Sequence, residues 1–426
     1  MNYKNRSIEE DLRRLHSHER GRLLVLTGAR QSGKTTLAKA VFPDYAHISL
    51  DSPVERALYE QMLPADWISR YPRAIIDEAQ KLPEIFETIK ACYDRDPGVR
   101  YLLLGSSQIL LLKKVHETLA GRVAICELFP FNLPELISAF TGVGLSDSRL
   151  MELLQAPSPS RIVPELFPPD LPMLKSEAAA KQAWEYLSRW GGMPAILGPE
   201  WSDDDRFEWL RDYQGTYLQR DVADLARIDR LEPFVRAQEA AALKTAQLIN
   251  FSNLARLAEV SPHTARQFMR YLELSYQVLL LPAWFRNPEK RLSRQPKLHF
   301  IDQGVRRAIL KKRGIIEGEE FESAVASEIW KQVRTARLPI TIHHLRTPDG
   351  REVDLLLERE DGFLAIECKM TGNVSSVDFR NLTNLELILD KPLLLRLVVS
   401  NDIRPRSVIS GKIPGWNVAA HQLLGS

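Results

Sequence analysis

Only three cysteines, Cys92, Cys126 and Cys368, occur in the 426 residues. They are odd in number and lack the paired spacing of metal-binding cysteines. Neither a disulfide framework nor a zinc site is expected, and a reducing, cytoplasmic setting fits. No apolar run reaches the ~18 residues that a membrane-spanning helix needs. The opening MNYKNRSIEEDLRRL is too polar and charged for a secretory hydrophobic segment. Charge of one sign is lacking too. The chain has 57 Lys and Arg against 55 Asp and Glu, a net +2, so overall charge selects no partner and charge must be read locally. No internal repeat is evident. What remains is an ordinary globular composition, 44% hydrophobic and 26% charged. Its length suggests two or three folded units of roughly 100–200 residues each.

Residues 1–20 predict a charged helix with Leu12 and Leu15 on its apolar side. LLVLTG (23–28), HISLD (47–51), AIIDEA (74–79), YLLLGSS (101–107) and VAICEL (123–128) then predict strands. Near-continuous apolar character means that both faces are covered, as in a parallel sheet between helices. Helical patterns lie between the runs, so residues 21–130 predict a doubly wound α/β unit. From about 141 to 175 the composition shifts, with six prolines between Pro157 and Pro172. That stretch predicts an extended or loop-rich insertion rather than helix. Helical periodicity returns over 176–235, broken at Gly191-Gly192 before Pro194.

GARQSGKT (28–35) carries the full G-x-x-x-x-G-K-[ST] pattern. It follows an apolar strand and opens the helix TLAKAVF, the setting that a phosphate-binding loop requires. Gly28, Ala29, Arg30, Gln31, Ser32 and Gly33 would turn backbone N–H groups toward phosphate oxygens, and the helix N-terminus adds a positive dipole end. Lys34 would reach the β- and γ-phosphates of ATP. Thr35 would ligate Mg²⁺ through its hydroxyl, with Thr36 a neighbour lacking that role. RAIIDEAQ (73–80) supplies the other half. Asp77 ends a hydrophobic strand, where it can hold Mg²⁺ through water, and Glu78 is placed to polarise the attacking water. YLLLGSSQ brings Ser106, Ser107 or Gln108 to the end of a third strand, as a sensor of the γ-phosphate or as an ordinary turn.

Residues 247–282 read differently. NLARLAEV is a short amphipathic helix. Ser261-Pro262 supplies an N-cap and a first-turn proline to a second helix, HTARQFMRYLELSYQ. Ala265, Phe268, Met269, Leu272 and Tyr276 share one face of it, and His263, Arg266, Gln267 and Arg270 the other. This is a helix-turn-helix with a basic recognition face. VLLLPAW and KLHFID predict strands flanking RNPEKRLSRQP, a winged helix whose basic wing includes Lys290 and Arg291. Ten Lys and Arg against two acids between Arg286 and Arg313 give a local +8, the footprint of phosphate contacts. The alternatives are a solvated charged face or a winged helix used for protein contacts.

The segments GARQSGKTTL, IIDEAQ, LLLGSS, ETLAGRV, ELFPF, GGMPAIL, TYLQRDV, SPHTARQFMRYLELSY, NPEKRLSRQPKLHFIDQG, GREVDLLLE and IECK, in that order from about 20 to 370, resemble a large family of bacterial and archaeal AAA-type ATPases. Members carry a C-terminal domain of unknown function with a restriction-endonuclease-like core. The resemblance implies an α/β chain: an AAA+ P-loop core over 1–140, a helical lid over 176–235, a winged helix-turn-helix over 236–312 and a restriction-endonuclease-like domain over 313–426. The Pro-rich stretch 141–175 is extra relative to the family. A homo-oligomer is also implied, a partial or hexameric ring with ATP between subunits and an arginine completing the neighbour's site. Arg122 in ETLAGRV and Arg220 in TYLQRDV match; each is equally suited to a structural ion pair.

In the last unit a helix (FESAVASEIWKQV) precedes strands at TIHHL, EVDLLLE, FLAIECK and LLLRLVVS. Asp354, then Glu367 and Lys369 on one face of a neighbouring strand, is the arrangement of restriction-endonuclease-like nucleases. Asp354 and Glu367 would hold Mg²⁺, Lys369 would orient water, and Glu322 matches the family's helix glutamate. The same domain without cleavage activity would serve binding or assembly. Three activities remain open: a remodeller or translocase of duplex or branched DNA, an ATP-gated Mg²⁺-dependent nuclease, and a nucleotide-switched regulator of a protein partner.

Overall fold

The computed structural model describes residues 3–105, 108–168, 175–217, 231–408 and 414–426. Strands β1 (Leu23–Gly28), β2 (Ala46–Ser49), β3 (Arg73–Asp77), β4 (Arg100–Leu104) and β5 (Val123–Leu128) form a parallel sheet in the order β2-β3-β4-β1-β5. Every residue of β1 is buried, which explains its unbroken apolar character. The order inserts β4 between the strand leading to the glycine loop and the strand ending at Asp77. All strands run the same way, so the segments following β1, β3 and β4 share one edge.

The Pro-rich stretch departs from expectation. Helices Arg149–Gln155 and Pro159–Leu166 lie within it. Ser148 caps the first helix through its side chain, and Pro159 sits at the first turn of the second, where a missing N–H costs nothing. Leu150, Leu153, Leu154, Val163 and Phe167 are buried in the largest core cluster. Pro159 marks a helix start and Pro164 lies inside that helix, and apolar spacing within the two short pieces was the overlooked signal.

Helices Lys175–Trp190 and Asp203–Tyr217 follow, then Glu232–Leu243, Phe251–Ala258 and Pro262–Leu274. Asn250 and Ser261 cap the last two. Strands β6 (Gln247–Leu248), β7 (Val278–Leu281) and β8 (Lys297–Phe300) form a small antiparallel sheet in the order β6-β8-β7. β6 was not anticipated. The segment between β7 and β8 is not a simple wing either. It contains helix Pro288–Ser293 and turns toward the C-terminal unit, where Trp284 is buried against Leu345, Val353 and Phe363.

Helix Gly318–Thr335 leads into a mixed sheet of β9 (Thr341–Arg346), β10 (Glu352–Glu358), β11 (Phe363–Lys369), β12 (Leu393–Ser400), β13 (Arg406–Val408) and β14 (Gly415–Ala419), in the order β13-β14-β12-β11-β10-β9. The largest core cluster joins Phe129 and Leu133 after β5, Trp184 of helix Lys175–Trp190, Phe321 and Ile329, and Leu355 and Leu397 of this sheet. One apolar core thus spans units that the sequence suggested were separate. Among the described residues no helix is long and apolar enough to cross a membrane.

A buried ionic junction also ties the units together. Glu320, 1% exposed, lies 2.8 Å from Arg306, 3.0 Å from Arg307 and 3.2 Å from Lys312. Removing one partner of a buried ion set leaves uncompensated charge, at about 3–5 kcal/mol. Glu320→Ala is therefore expected to lower the thermal unfolding midpoint of the nucleotide-free chain by several degrees. A melt indistinguishable from wild type would show that solvent reaches Arg306 and Arg307.

Candidate functional site

The glycine loop is built from backbone that other residues resist. Gly28 has φ +148°, and a Cβ there would stand 2.0 Å from the Leu128 carbonyl oxygen of the adjacent strand. Gly33, at φ +94°, caps helix Lys34–Val41. Between them Gln31 also has positive φ, and Ala29 is buried. Lys34, 8% exposed, donates from Nζ to the carbonyls of Gly28 (3.0 Å) and Ala29 (2.8 Å), arching over the loop. Thr36 is exposed at the rim of the loop.

Arg6 fixes this loop from outside and was missed by the sequence reading. Its guanidinium donates to the carbonyls of Ser32 (2.9 Å) and Phe129 (2.5 Å), lies 3.2 Å from Glu135 and stacks on Phe131. Nothing in a lone arginine just ahead of the charged helix Glu9–Ser17 signals that role. From helix Asp203–Tyr217, the Tyr213 hydroxyl donates to the Arg30 carbonyl at 3.3 Å. A cleft of about 720 Å³ opens beside the loop, between Tyr3 and Arg6, Gly33 and Thr36, and Tyr186 and Pro194.

The two sequence motifs meet. Thr35 Oγ1 donates to Asp77 Oδ2 at 2.7 Å, and His47 Nε2 on β2 lies 3.6 Å from the same oxygen. Thr35 and Asp77 form an all-oxygen donor pair suited to a hard cation such as Mg²⁺. Glu78 takes a left-handed conformation, φ +54°, directly after β3, and its Oε2 accepts from Gln80 Nε2 at 2.5 Å. Such backbone in a non-glycine residue is uncommon and is held here by its surroundings. Ser106 and Ser107 lie outside the described residues, as does Arg220. Arg122 makes a two-pronged ion pair with Asp94, 3.0 and 3.2 Å, just before β5 and so at the sheet edge opposite the loop. Any action of Arg122 on phosphate would have to come from a neighbouring subunit.

A polar contact joins the loop strand to the end of helix Pro262–Leu274. The Tyr276 hydroxyl, just after helix Pro262–Leu274, lies 2.8 Å from Thr27 Oγ1 on β1 and donates to Glu127 at 3.0 Å. On that helix His263, Arg266, Gln267 and Arg270 are exposed on one face, while Ala265, Phe268, Met269 and Leu272 are buried.

The wider basic stretch is different. Arg291 is tied to Glu358 at 3.1 Å, donates to the Phe285 carbonyl at 2.6 Å and lies over Trp284, so it joins the two units rather than facing solvent. Lys297, Arg306 and Arg307 are buried. The local +8 is largely compensated by acids brought in from distant sequence. Lys290 is exposed.

The C-terminal carboxylates also gather otherwise than expected. Lys297 Nζ lies 2.6 Å from Glu322, 2.7 Å from Glu352 and 2.9 Å from Asp354. Burial opposes the ammonium, yet Asp354, Glu322 and Glu352 outweigh it and raise the Lys297 pKa. Burial and the Asp354 charge push Glu322 up to about 8 and Glu367 up to about 7. Asp354 Oδ2 accepts from the Cys368 amide at 2.9 Å across to β11, and the register of β10 against β9 shifts between Val353 and Leu356, a bulge around Asp354. Glu367 pairs instead with Lys369 (2.8 Å) and Asn381 (3.2 Å). Asp354 and Glu367 are thus each held by a lysine, Lys297 and Lys369 respectively. Among the described residues no group of three or more His, Cys, Asp or Glu is arranged to hold a metal. Sequence reasoning missed Lys297, Glu352 and Asn381. A lysine inside the apolar strand KLHF was the available signal, since a buried ammonium must be paired.

Comparisons with known proteins agree with the first half of this reading. Residues 20–137 match the family described as AAA domain, and residues 181–314 and 317–408 match two domains of unknown function, DUF8612 and DUF4143. Uncharacterized proteins of Mycobacterium tuberculosis and Mycobacterium bovis are each 27% identical over 363 residues, covering 84% of this chain and 72% of theirs. Among solved structures, a Walker-type ATPase of Pyrococcus abyssi aligns at 14% identity over 72% of this chain and 96% of that one, with a TM-score of 0.41. The Aeropyrum pernix ORC2 protein aligns at 13% identity over 76% of this chain and 94% of that one, at 0.35. Neither superposition is close enough to carry a functional argument. The family match and the loop geometry together identify residues 20–137 as an AAA-type P-loop ATPase domain.

Proposed function

We propose that the chain hydrolyses Mg²⁺-ATP and couples the cycle to binding and remodelling, or translocation along, duplex or branched DNA. The observation that carries this reading is the Thr35–Asp77 hydrogen bond beside Lys34, which brings loop and acidic strand end together at one sheet edge. The triphosphate would lie along the loop amides, and the base would enter the cleft between Arg6, Tyr186 and Pro194. Lys34 would exchange its carbonyl contacts for the β- and γ-phosphates. Bound at Thr35 and Asp77, Mg²⁺ would neutralise developing phosphate charge. Glu78 would orient the attacking water. In the partial or hexameric ring that the resemblance implies, Arg122 or Arg220 would reach the neighbouring subunit's ATP, and Ser106 would sense the γ-phosphate.

Support for DNA comes from the exposed face of His263, Arg266, Gln267 and Arg270, on a helix behind which a three-stranded sheet packs as in a winged helix. The contact of Tyr276 with Thr27 links that helix end to the loop strand. The mixed sheet after helix Gly318–Thr335 suits a restriction-endonuclease-like unit, but Lys297 among its carboxylates favours gripping over cutting.

Purified chain should show ATP turnover that rises with duplex or four-way-junction DNA more than with single strands, and the same DNA should stay uncut on a gel. The double substitution Arg266→Ala, Arg270→Ala should weaken DNA binding about tenfold and reduce the log–log salt slope by roughly 2, at about 0.9 for each phosphate that is no longer neutralised. Unchanged affinity and slope would remove this helix face from the account. Turnover indifferent to every DNA would leave a switch acting on a protein partner.

A further inference from the structure

Lys297 Nζ lies at the meeting point of three carboxylates. It belongs to β8, whose four residues are all buried, and its side chain is 1% exposed. The three carboxylates around its Nζ, at 2.6, 2.7 and 2.9 Å, come from helix Gly318–Thr335 and from β10. The ammonium therefore enters from another unit and fills the focus of an oxygen shell that a hard cation would otherwise suit. Glu367 stands on the adjoining strand, 2% exposed, with Oε2 buried and lacking any hydrogen-bond partner. Glu322, Glu352, Asp354 and Glu367 carry four formal negative charges, and Lys297 and Lys369 offset two. Without Lys297 the formal charge would fall to −3, which buried surroundings relieve by taking up either protons or a replacement cation.

We infer that Lys297 is a resident counter-ion that excludes divalent cations from this cluster while β8 is docked, and that removing its ammonium turns the cluster into a divalent-cation site. The lysine at the same time latches the small β6-β8-β7 sheet to the C-terminal sheet. This inference needs neither ATP nor DNA, so its test is run without both and stands apart from the ATPase reading.

The test uses the full chain, nucleotide-free, with Mn²⁺ as the probe. Bound ion is read from loss of the free Mn²⁺ electron paramagnetic resonance signal, and Mg²⁺ binding by calorimetry. Lys297→Ala should gain one Mn²⁺ site at least tenfold tighter than anything in wild type, and adding Asp354→Asn should abolish the gain. Mn²⁺ should also raise the melting point of Lys297→Ala but not of wild type. Lys297→Ala with Glu322→Gln removes one charge of each sign, and serves if the single variant does not fold. A folded variant that binds Mn²⁺ no better than wild type overturns the inference. So does a wild-type site that is already filled by Mn²⁺ and lost in Asp354→Asn. The wild-type chain gives an arm that needs no variant. An amine-acylating reagent should spare Lys297 in the native protein while modifying the half-exposed Lys369, and rapid modification of Lys297 would show that it is not seated in the cluster.

Discussion

Replacing Lys34 by alanine is expected to lower ATP turnover by on the order of 10²–10³-fold, the usual loss when a preorganised donor to developing charge is removed. The position of the side chain makes the expectation strong. It stems from the first turn of helix Lys34–Val41, is almost wholly buried, and arches back over the loop onto the Gly28 and Ala29 carbonyls. A fixed positive charge is thus already held along the path that the triphosphate must take. Arg6 binds the loop through the Ser32 carbonyl from the other side, so it supports loop shape rather than charge at the phosphates. The check is steady-state phosphate release with and without DNA, together with a melt to establish that the variant folds. Wild-type turnover in a folded Lys34→Ala chain would remove the ATPase site from where it is placed here.

Much of this geometry was legible because it is local. The loop, the helix that it opens and the strand ending in Asp77 are encoded in contiguous residues whose spacing reflects their backbone. The same holds for Ser261 and Pro262 starting a helix whose apolar and basic faces separate cleanly. What escaped was set by contacts between distant segments. Arg6, Ser32 and Phe129 meet only once the sheet is assembled. The basic stretch after Arg286 resembles a nucleic-acid footprint until Glu320, Glu322, Glu352, Asp354 and Glu358 arrive from later sequence and compensate it. Charge counting along the chain cannot tell a solvated arginine from one that a distant glutamate has claimed. The Pro-rich stretch failed for a different reason. Proline frequency argued for loop, but at the first turn proline starts helices as readily as it ends them.

In the proposed cycle Asp77, which ends β3, and Glu78 after it would divide the labour of hydrolysis, and Glu78→Gln should separate binding from turnover. Asp77 faces Thr35 and His47, whereas Glu78 turns away into a left-handed conformation and accepts from Gln80. Glutamine keeps the size of the side chain and its ability to contact Gln80, but not its capacity to take a proton from water. Turnover is therefore expected to fall by on the order of 10²–10⁴-fold, the range for a general base, while nucleotide affinity stays within a few-fold of wild type. Fluorescent-nucleotide titration and phosphate release on the same preparation measure the two quantities. Asp77→Asn provides the contrast, since it alters the oxygen facing Thr35 and should weaken Mg²⁺-dependent affinity as well as turnover. If Glu78→Gln lost affinity and turnover in equal measure, the residue would be holding the loop or the nucleotide. The attacking water would then have to be positioned by another group at the same sheet edge, and the left-handed turn at Glu78 would serve loop geometry rather than the chemistry.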